Sequence, residues 1–479
     1  MYRRLSVFVG DWALEAAEDV CNVGGDLGID VLDEMEALVD HSLLKQTVVA
    51  NSEPRFGMLE SIREYARERL VESGEEDDIR RHHANYFIKL AEEAEPHLTG
   101  AQRGIWLDRL EVELDNVRAA LEWSATGKGD PEMGLRLSGA LGWFWYLRGY
   151  LSEGRGWLER ALAKDGGQGQ ESSRTAARAK ALLAVGASAS VQRDFAIARP
   201  RLEESLVIFR ELGPSGKQGT AYALTFLGMV SLTQGDPAAA RSLYQESVAH
   251  FQEVVDKWGE AFTLSGLGHA ALALGDPAAA RSCYEQSLAL FRQMGDPWGS
   301  AIPLHSLAGM AWAQGDYAAA RSLYQESGAL LREAGDRWGY ARSLAGSAAA
   351  ALHQGNTEQA KLLFEVTLTL WRELGNKAGI IQCLARLAVV AGAEGRLESS
   401  PQRVEALQRA IRLFGAADAL LQATGFLLDV ADRAEFDRNL TAIRAQLDES
   451  EFAAAWQEGR AMTLEHATAY ALGEGAEGI

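Results

Sequence analysis

Apolar positions recur along most of the chain at intervals of three and four, and the whole pattern then returns every 40 residues. GDPAAARSLYQES begins at Gly235, GDPAAARSCYEQS at Gly275, GDYAAARSLYQES at Gly315 and GNTEQAKLLFEVT at Gly355. Ala240, Ala280, Ala320 and Ala360 occupy one equivalent position; Tyr244, Tyr284, Tyr324 and Phe364 a second; Phe251, Phe291, Leu331 and Trp371 a third. Offsets of four and seven put these on one face of a helix. Two turns per period follow from Gly-Asp pairs such as Gly275-Asp276 and Gly295-Asp296. Glycine closes a helix in the left-handed conformation and aspartate caps the next one. Before the first turn, Leu227-Gly228 and Leu267-Gly268, or Leu307-Ala308 and Leu387-Ala388, supply a small residue where two helices must approach. The pattern predicts stacked helical hairpins.

Weaker copies extend the array backwards, through Val185-Gly186 with Asp194 and Leu202, and Leu141-Gly142 with Gly149-Tyr150 and Trp157. About seven units fit between residues 131 and 415. The fold class expected is all-α, a right-handed superhelix of hairpins of about 40 residues each. A stack needs caps, and residues 416–479 suit that role. Leu407–Ala423 continues the pattern irregularly, Asp432–Leu447 and Glu451–Leu472 read as amphipathic helices, and the tail from Gly473 should fray.

Residues 1–80 follow another plan. Helices are expected near Leu14–Cys21 and Val31–Asp40, then two β-prone runs, Leu43–Ala50 and Arg55–Met58, joined by a turn at Asn51–Pro54, then a helix over Leu59–Val71. Helices, a hairpin and a further helix predict a small winged-helix domain. Residues 81–130 read as a helical linker pair.

The repeat resembles the tetratricopeptide repeat (TPR) family, which has a small residue after a Leu in helix A and an Ala and an aromatic in helix B. The standard unit has about 34 residues and often a Pro near the end of helix B; here helix B runs longer and lacks that Pro. The N-terminal wording, RRLSVFVGDWALEAAEDVC, ALVDHSLL and FGMLESIREYARERLVESGE followed by RRHHANYFIKLAEEAEPHL, resembles the segment after the nucleotide-binding core of bacterial STAND-type (NB-ARC-like) ATPase regulators. The C-terminal LFGAADALLQATG and FAAAWQEGRAMTLEHATAYAL resemble the end of the same sensor. The resemblance implies a winged helix that packs on an ATPase and a TPR-type sensor that follows. There is no GxxxxGK[ST]; Gly213–Lys217 and Gly127-Lys128-Gly129 lack its spacing and hydroxyl. No LuxR-type helix-turn-helix follows residue 473. The chain is therefore expected to be the rear half of a regulator, or one that has lost its motor.

Charge narrows the function classes. The net charge is -20, whereas nucleic-acid binders carry a basic face. Residues 1–80 alone hold eight Lys/Arg against nineteen Asp/Glu, a difference of -11. The winged helix is thus expected to pack on protein, with no direct nucleic-acid binding. Cys21, Cys283 and Cys383 show no metal or disulfide spacing, and the apolar run Leu141–Leu147 is too short to span a bilayer. The N-terminus is too acidic for a signal peptide. A cytoplasmic location with no membrane association is expected. No nucleophile elbow, phosphate loop or HExxH appears, so neither catalysis nor a cofactor is expected. Trp258, Trp298 and Trp338 recur at hairpin entries and are assigned to packing.

Outward positions of helix A are the candidate binding residues, since in TPR-type stacks that helix lines the concave surface. In the early units they are Arg136, Trp143, Tyr146 and Lys180. The central units add Tyr222, Met229, Phe262 and His269. The later units add His305, Trp312, Arg342, His353 and Gln382. The histidines lie one per repeat, so no metal site is expected. Aromatics mixed with cations suit an acidic or amphipathic peptide, or a small effector. The function expected is a non-catalytic effector-sensing and protein-interaction module of a STAND-type signalling or transcription regulator. Its partner would be a protein or peptide, including a nucleotide-binding ATPase domain in cis or trans. The alternative is a standalone TPR scaffold that meets no ATPase.

Overall fold

In the computed structural model of the protein, residues 1–47, 54–126, 128–166, 174–397, 400–428 and 430–474 are described. Most of the turn expected at Asn51–Pro54, the last three residues of Leu43–Ala50, Gly127 and the tail beyond residue 474 lie outside them. Met1–Gln286 with Gln293–Gly295 forms one compact unit, and Ser287–Arg292 with Asp296–Ile479 forms another.

The first unit opens with a winged helix. Helices Leu14–Cys21 and Val31–Asp40 lie where the apolar pattern predicts them, and Glu60–Glu72 follows the wing. Three short strands, β1 (Asp11–Ala13), β2 (Lys45–Thr47) and β3 (Arg55–Gly57), form an antiparallel sheet in the order β1-β3-β2. Neither β1 nor the Tyr2–Leu5 helix was expected, because segments of three and four residues are too short to display a period. Trp12 of β1 is fully buried and stacks on Phe8 at 5.0 Å. Arg4 anchors the fold from within, donating to the Cys21 carbonyl at 2.8 Å, to Asp26 at 2.7 Å and to Glu75 at 2.8 Å. Three acceptors on one buried guanidinium offset its desolvation.

The Glu76–Ala94 helix joins this domain to the hairpins. Its His83 is buried and lies 5.3 Å from Phe8 and 4.8 Å from Phe87, centroid to centroid. Hairpin helices of the first unit include Ala176–Val191, Phe195–Glu211, Lys217–Thr233, Pro237–Val254 and Lys257–Ala273. Those of the second include Pro297–Ala313, Tyr317–Glu333, Arg337–His353 and Thr357–Glu373. In the second unit all four have 17 residues, so the extra length over a standard unit is shared by helices A and B.

The turn chemistry follows the sequence pattern. Gly235, Gly275, Gly315 and Gly355 all have φ between 76° and 86°, and Asp236, Asp296, Asp316 and Asp336 each accept the backbone N–H three residues on. Packing explains the small residue of helix A. A Cβ built on Gly268 would stand 2.5 Å from the Tyr284 ring, so the glycine makes room for the aromatic of helix B. A recurrent buried serine completes the hairpin: Ser205, Ser247 and Ser327 donate to the carbonyls of Ala179, Ala221 and Ala301. These are TPR-like helical repeats.

In the second unit the repeats end on Lys377–Leu397 and Ser400–Thr424. The two terminal amphipathic segments become three helices, Val430–Arg444, Glu449–Arg460 and Leu464–Leu472. The break in the segment expected over Glu451–Leu472 falls at Thr463, whose hydroxyl accepts the His466 N–H and starts a new helix. Among the described residues one helical stretch, Lys377–Gly395, is long and apolar enough to cross a membrane, and 72% of it is buried in the protein interior. It is a core helix of the stack.

Candidate functional site

Helix A of successive hairpins in the first unit brings aromatic residues to one place. Trp143, on the Gly142–Arg148 helix, meets Tyr146, Tyr222, Trp258 and Phe262 edge-on at centroid distances of 5.5, 5.7, 5.1 and 6.1 Å. Phe226 lies 6.2 Å from Trp143, and Trp258 stacks on Phe262 at 5.3 Å. Edge-on and stacked pairs hold their geometry through the ring quadrupoles. Tyr222 and Phe226 are four residues apart, as are Trp258 and Phe262, so each pair shares a helical face.

Beside this cluster lies a cavity of about 300 Å³. Trp143, Tyr146, Tyr222 and Phe226 form its aromatic wall, and Glu95, Lys180 and Gln218 bring polar groups to it. Lys180 Nζ pairs with Glu95 at 2.7 Å. The Asp256 carboxylate is fully engaged: Gln218 donates to it at 2.8 Å, the Tyr222 hydroxyl at 3.2 Å and the Gly259 N–H at 2.8 Å. Burial, reinforced by Asp256, holds the Tyr222 phenol well above the usual tyrosine range. Burial alone pushes the Tyr146 phenol up to about 12. Its side chain borders the cavity.

The structure thus gathers Trp143, Tyr146, Lys180, Tyr222 and Phe262 around one site. It places the other candidates of this unit elsewhere. Arg136 pairs with Glu92 at 2.7 Å and borders a separate polar cleft with Glu18, Asp19 and His82. Met229 is half-buried against the hairpin core. His269 is exposed and lies edge-on to Tyr284 at 5.3 Å.

In the second unit, Trp312 and His353 meet at 4.7 Å with Tyr317 beside both. The Val430–Arg444 helix covers this side: its Glu435 pairs with Arg386 and lies 3.9 Å from His353. Gln382 borders the small gap between Arg386, Glu435 and Phe436. Here the candidate positions meet the protein's own Val430–Arg444 helix. His305 lies edge-on to Tyr324 at 5.0 Å, and the Arg342 guanidinium sits 5.1 Å over the Trp338 ring.

The three junction tryptophans differ from one another. Trp258 is 4% exposed and belongs to the aromatic cluster. Trp298 donates from its indole N–H to Asp336 of the next hairpin at 3.0 Å. Trp338 is 49% exposed and is not a buried wedge. The sequence reading missed Phe226 and Glu95. Four-residue spacing to Tyr222 signals the first, whereas Glu95 reaches Lys180 only through the tertiary fold.

Other chemistry is sparse. Burial pushes the Cys21 and Cys383 thiols up to about 12, which keeps them protonated at neutral pH. Among the described residues, no group of three His, Cys, Asp or Glu side chains converges as metal ligands would.

Comparison with known proteins agrees with the geometry. A model of the tetratricopeptide repeat matches residues 177–253, 219–293 and 299–373, and one of the winged helix-turn-helix domain matches residues 1–71. The chain carries tetratricopeptide repeats behind a winged helix. Over 267 residues, the chain is 33% identical to proteins of Mycobacterium bovis and Mycobacterium tuberculosis named "Putative HTH-type transcriptional regulator" Mb0914c and Rv0890c. The match covers 54% of this chain but 29% of those relatives' length. Among solved structures, a STAND protein with a tetratricopeptide repeat sensor from Pyrococcus horikoshii is similar with a TM-score of 0.57 at 13% identity, covering 96% of this chain and 64% of that one. A Rap protein complexed with Competence and Sporulation Factor is similar with a TM-score of 0.50 at 11% identity, covering 79% and 99%. At such identities the likeness concerns the fold.

Proposed function

We propose that the chain is a non-catalytic sensing and protein-interaction module of a STAND-type signalling or transcription regulator. It takes an effector in the aromatic cavity of the first unit. The observation that carries this reading is the convergence of Trp143, Tyr146, Lys180 and Tyr222, from three different helices, on one cavity of about 300 Å³. That volume lies at the lower end of the range for small-molecule sites, and an apolar wall with a few polar groups is their usual composition. The Rap protein of similar fold was solved with Competence and Sporulation Factor bound, which favours ligand capture over a purely structural stack. The winged helix is a protein-packing element whose partner is a nucleotide-binding ATPase domain in cis or trans. Its Val31–Asp40 helix supports this, exposing Leu32, Asp33, Glu36 and Asp40, a face that repels phosphate.

A thermal-shift screen of the whole chain against metabolites and short peptides tests the reading. At least one compound should raise the melting temperature of the native chain, and Trp143→Leu should remove the shift while far-ultraviolet circular dichroism stays unchanged. A shift of equal size in Trp143→Leu would place the effector elsewhere.

A further inference from the structure

The charges around the cavity say what kind of effector it takes; this inference rests on the sensing role proposed above. Lys180 is the only cation among the lining residues, and its partner Glu95 is the only anion. The pair is half-exposed, with side-chain accessibilities of 43% and 28%, so its net worth is small. The two partners are not equally well placed. Glu95 sits at the C-terminal end of the Glu76–Ala94 helix, where a carboxylate meets the negative end of the macrodipole. The cavity lining also includes Ala176, the first residue of the Ala176–Val191 helix, and Gln218 and Gly219, in the first turn of Lys217–Thr233. Two positive helix ends and one lysine therefore border a space whose described lining holds one carboxylate, Glu95.

The Asp256 carboxylate already accepts three hydrogen bonds, from Gln218, Tyr222 and Gly259, and is not among the lining residues. Tyr146 also lines the cavity, and a phenol can donate to an incoming acceptor. The overall charge of -20 opposes anion binding only weakly, because charges beyond roughly 8 Å are screened at physiological salt.

We infer that the cavity binds a small planar aromatic carboxylate, whose ring lies against Trp143 and Tyr222 and whose carboxylate replaces Glu95 on Lys180. The exchange swaps one ion pair for another, so Lys180 stays neutralised throughout. Its consequence is mechanical. Glu95 loses its ion pair to the repeats, and it adjoins the helix whose other half carries His83 against Phe8 of the winged helix. Occupancy of the cavity thereby reaches the winged-helix side of the unit.

The test uses the full chain and three probes that share one ring system, 2-naphthoate, 2-naphthylmethanol and 2-naphthylmethylamine, with affinities from calorimetry. Naphthoate should bind more tightly than the alcohol by about tenfold, the ratio for one charge-assisted hydrogen bond, and the amine should bind least. Lys180→Met should erase the preference, and Glu95→Gln should tighten naphthoate about two- to fivefold. Naphthoate should also speed amide exchange over residues 95–102. Equal or better binding of the amine, or a preference that survives Lys180→Met, overturns the carboxylate exchange. Binding of all three probes without charge preference, lost in Trp143→Leu, overturns the exchange while leaving the cavity as a site. Failure of all three to bind at millimolar concentration overturns the aromatic carboxylate, and the sensing role then stands or falls on the thermal-shift screen.

Discussion

His83 shows how much one residue can set. Burial pushes its pKa from 6.5 down to about 3, so the folded protein holds it neutral. Between pH 6.5 and 3 the unfolded chain takes up a proton that the folded chain refuses, and stability must fall as the pH drops through that window. The slope is about 1.4 kcal/mol per pH unit from this group. Glu75 adds to acid lability further down, since its ion pairs with Arg3 and Arg4 lower it from 4.5 to about 2; that contribution is present above pH 4.5 and is lost towards pH 2. Denaturant midpoints at pH 7, 5.5 and 4.5 check this. His83→Leu should flatten the profile between pH 6.5 and 4.5, and an unchanged slope would show that His83 is not the group responsible. Nothing in the sequence signals this role, because His82 and His83 look alike until the Glu76–Ala94 helix turns one towards Phe8 and Phe87.

At the scale of elements, the repeat was readable because each hairpin restates the same physical solution. Positive-φ glycines, aspartate caps and a small residue opposite Tyr284 leave their marks every 40 residues. Substituting Gly268→Leu should cost about 1–3 kcal/mol or more, since the Tyr284 ring occupies the space that the new side chain needs; chemical denaturation measures it. The short strand β1 and the break at Thr463 were not readable, since both depend on single hydrogen-bonding or pairing choices. The winged helix makes an element-scale prediction of its own. Its Val31–Asp40 helix presents acidic side chains to solvent, so fluorescence anisotropy with a random 20-base-pair duplex at low salt should show no saturable binding. Micromolar binding that weakens steeply between 50 and 200 mM salt would mean that the wing reads phosphates after all.

In the second unit, the Val430–Arg444 helix uses Glu435 to reach Arg386 and His353. Both members of the Glu435–Arg386 pair are 14% exposed. The carboxylate serves both Arg386 and His353 from a site of low accessibility, so Glu435→Ala should destabilise that unit by about 1–3 kcal/mol. A second, earlier melting transition in calorimetry would report it, and an unaltered thermogram would mean that this helix does not depend on the pair.

For the whole molecule, the candidate site was half legible. Helical spacing alone selects Trp143, Tyr146, Lys180, Tyr222 and Phe262, but it also selects Arg136, His269 and Arg342, which the fold sends elsewhere. A repeat pattern fixes which way a side chain leaves its own helix. It does not fix which distant helices face it, and Glu95, 85 residues from Lys180, is the consequence. The central claim is that this cavity is where the protein meets its effector. The most direct measurement is to purify the native chain and a Trp143→Leu/Lys180→Met variant side by side from the same cells and compare the retained small molecules and peptides by mass spectrometry. The account predicts a species enriched on the native chain and absent from a variant of equal helicity; equal enrichment on both would contradict it.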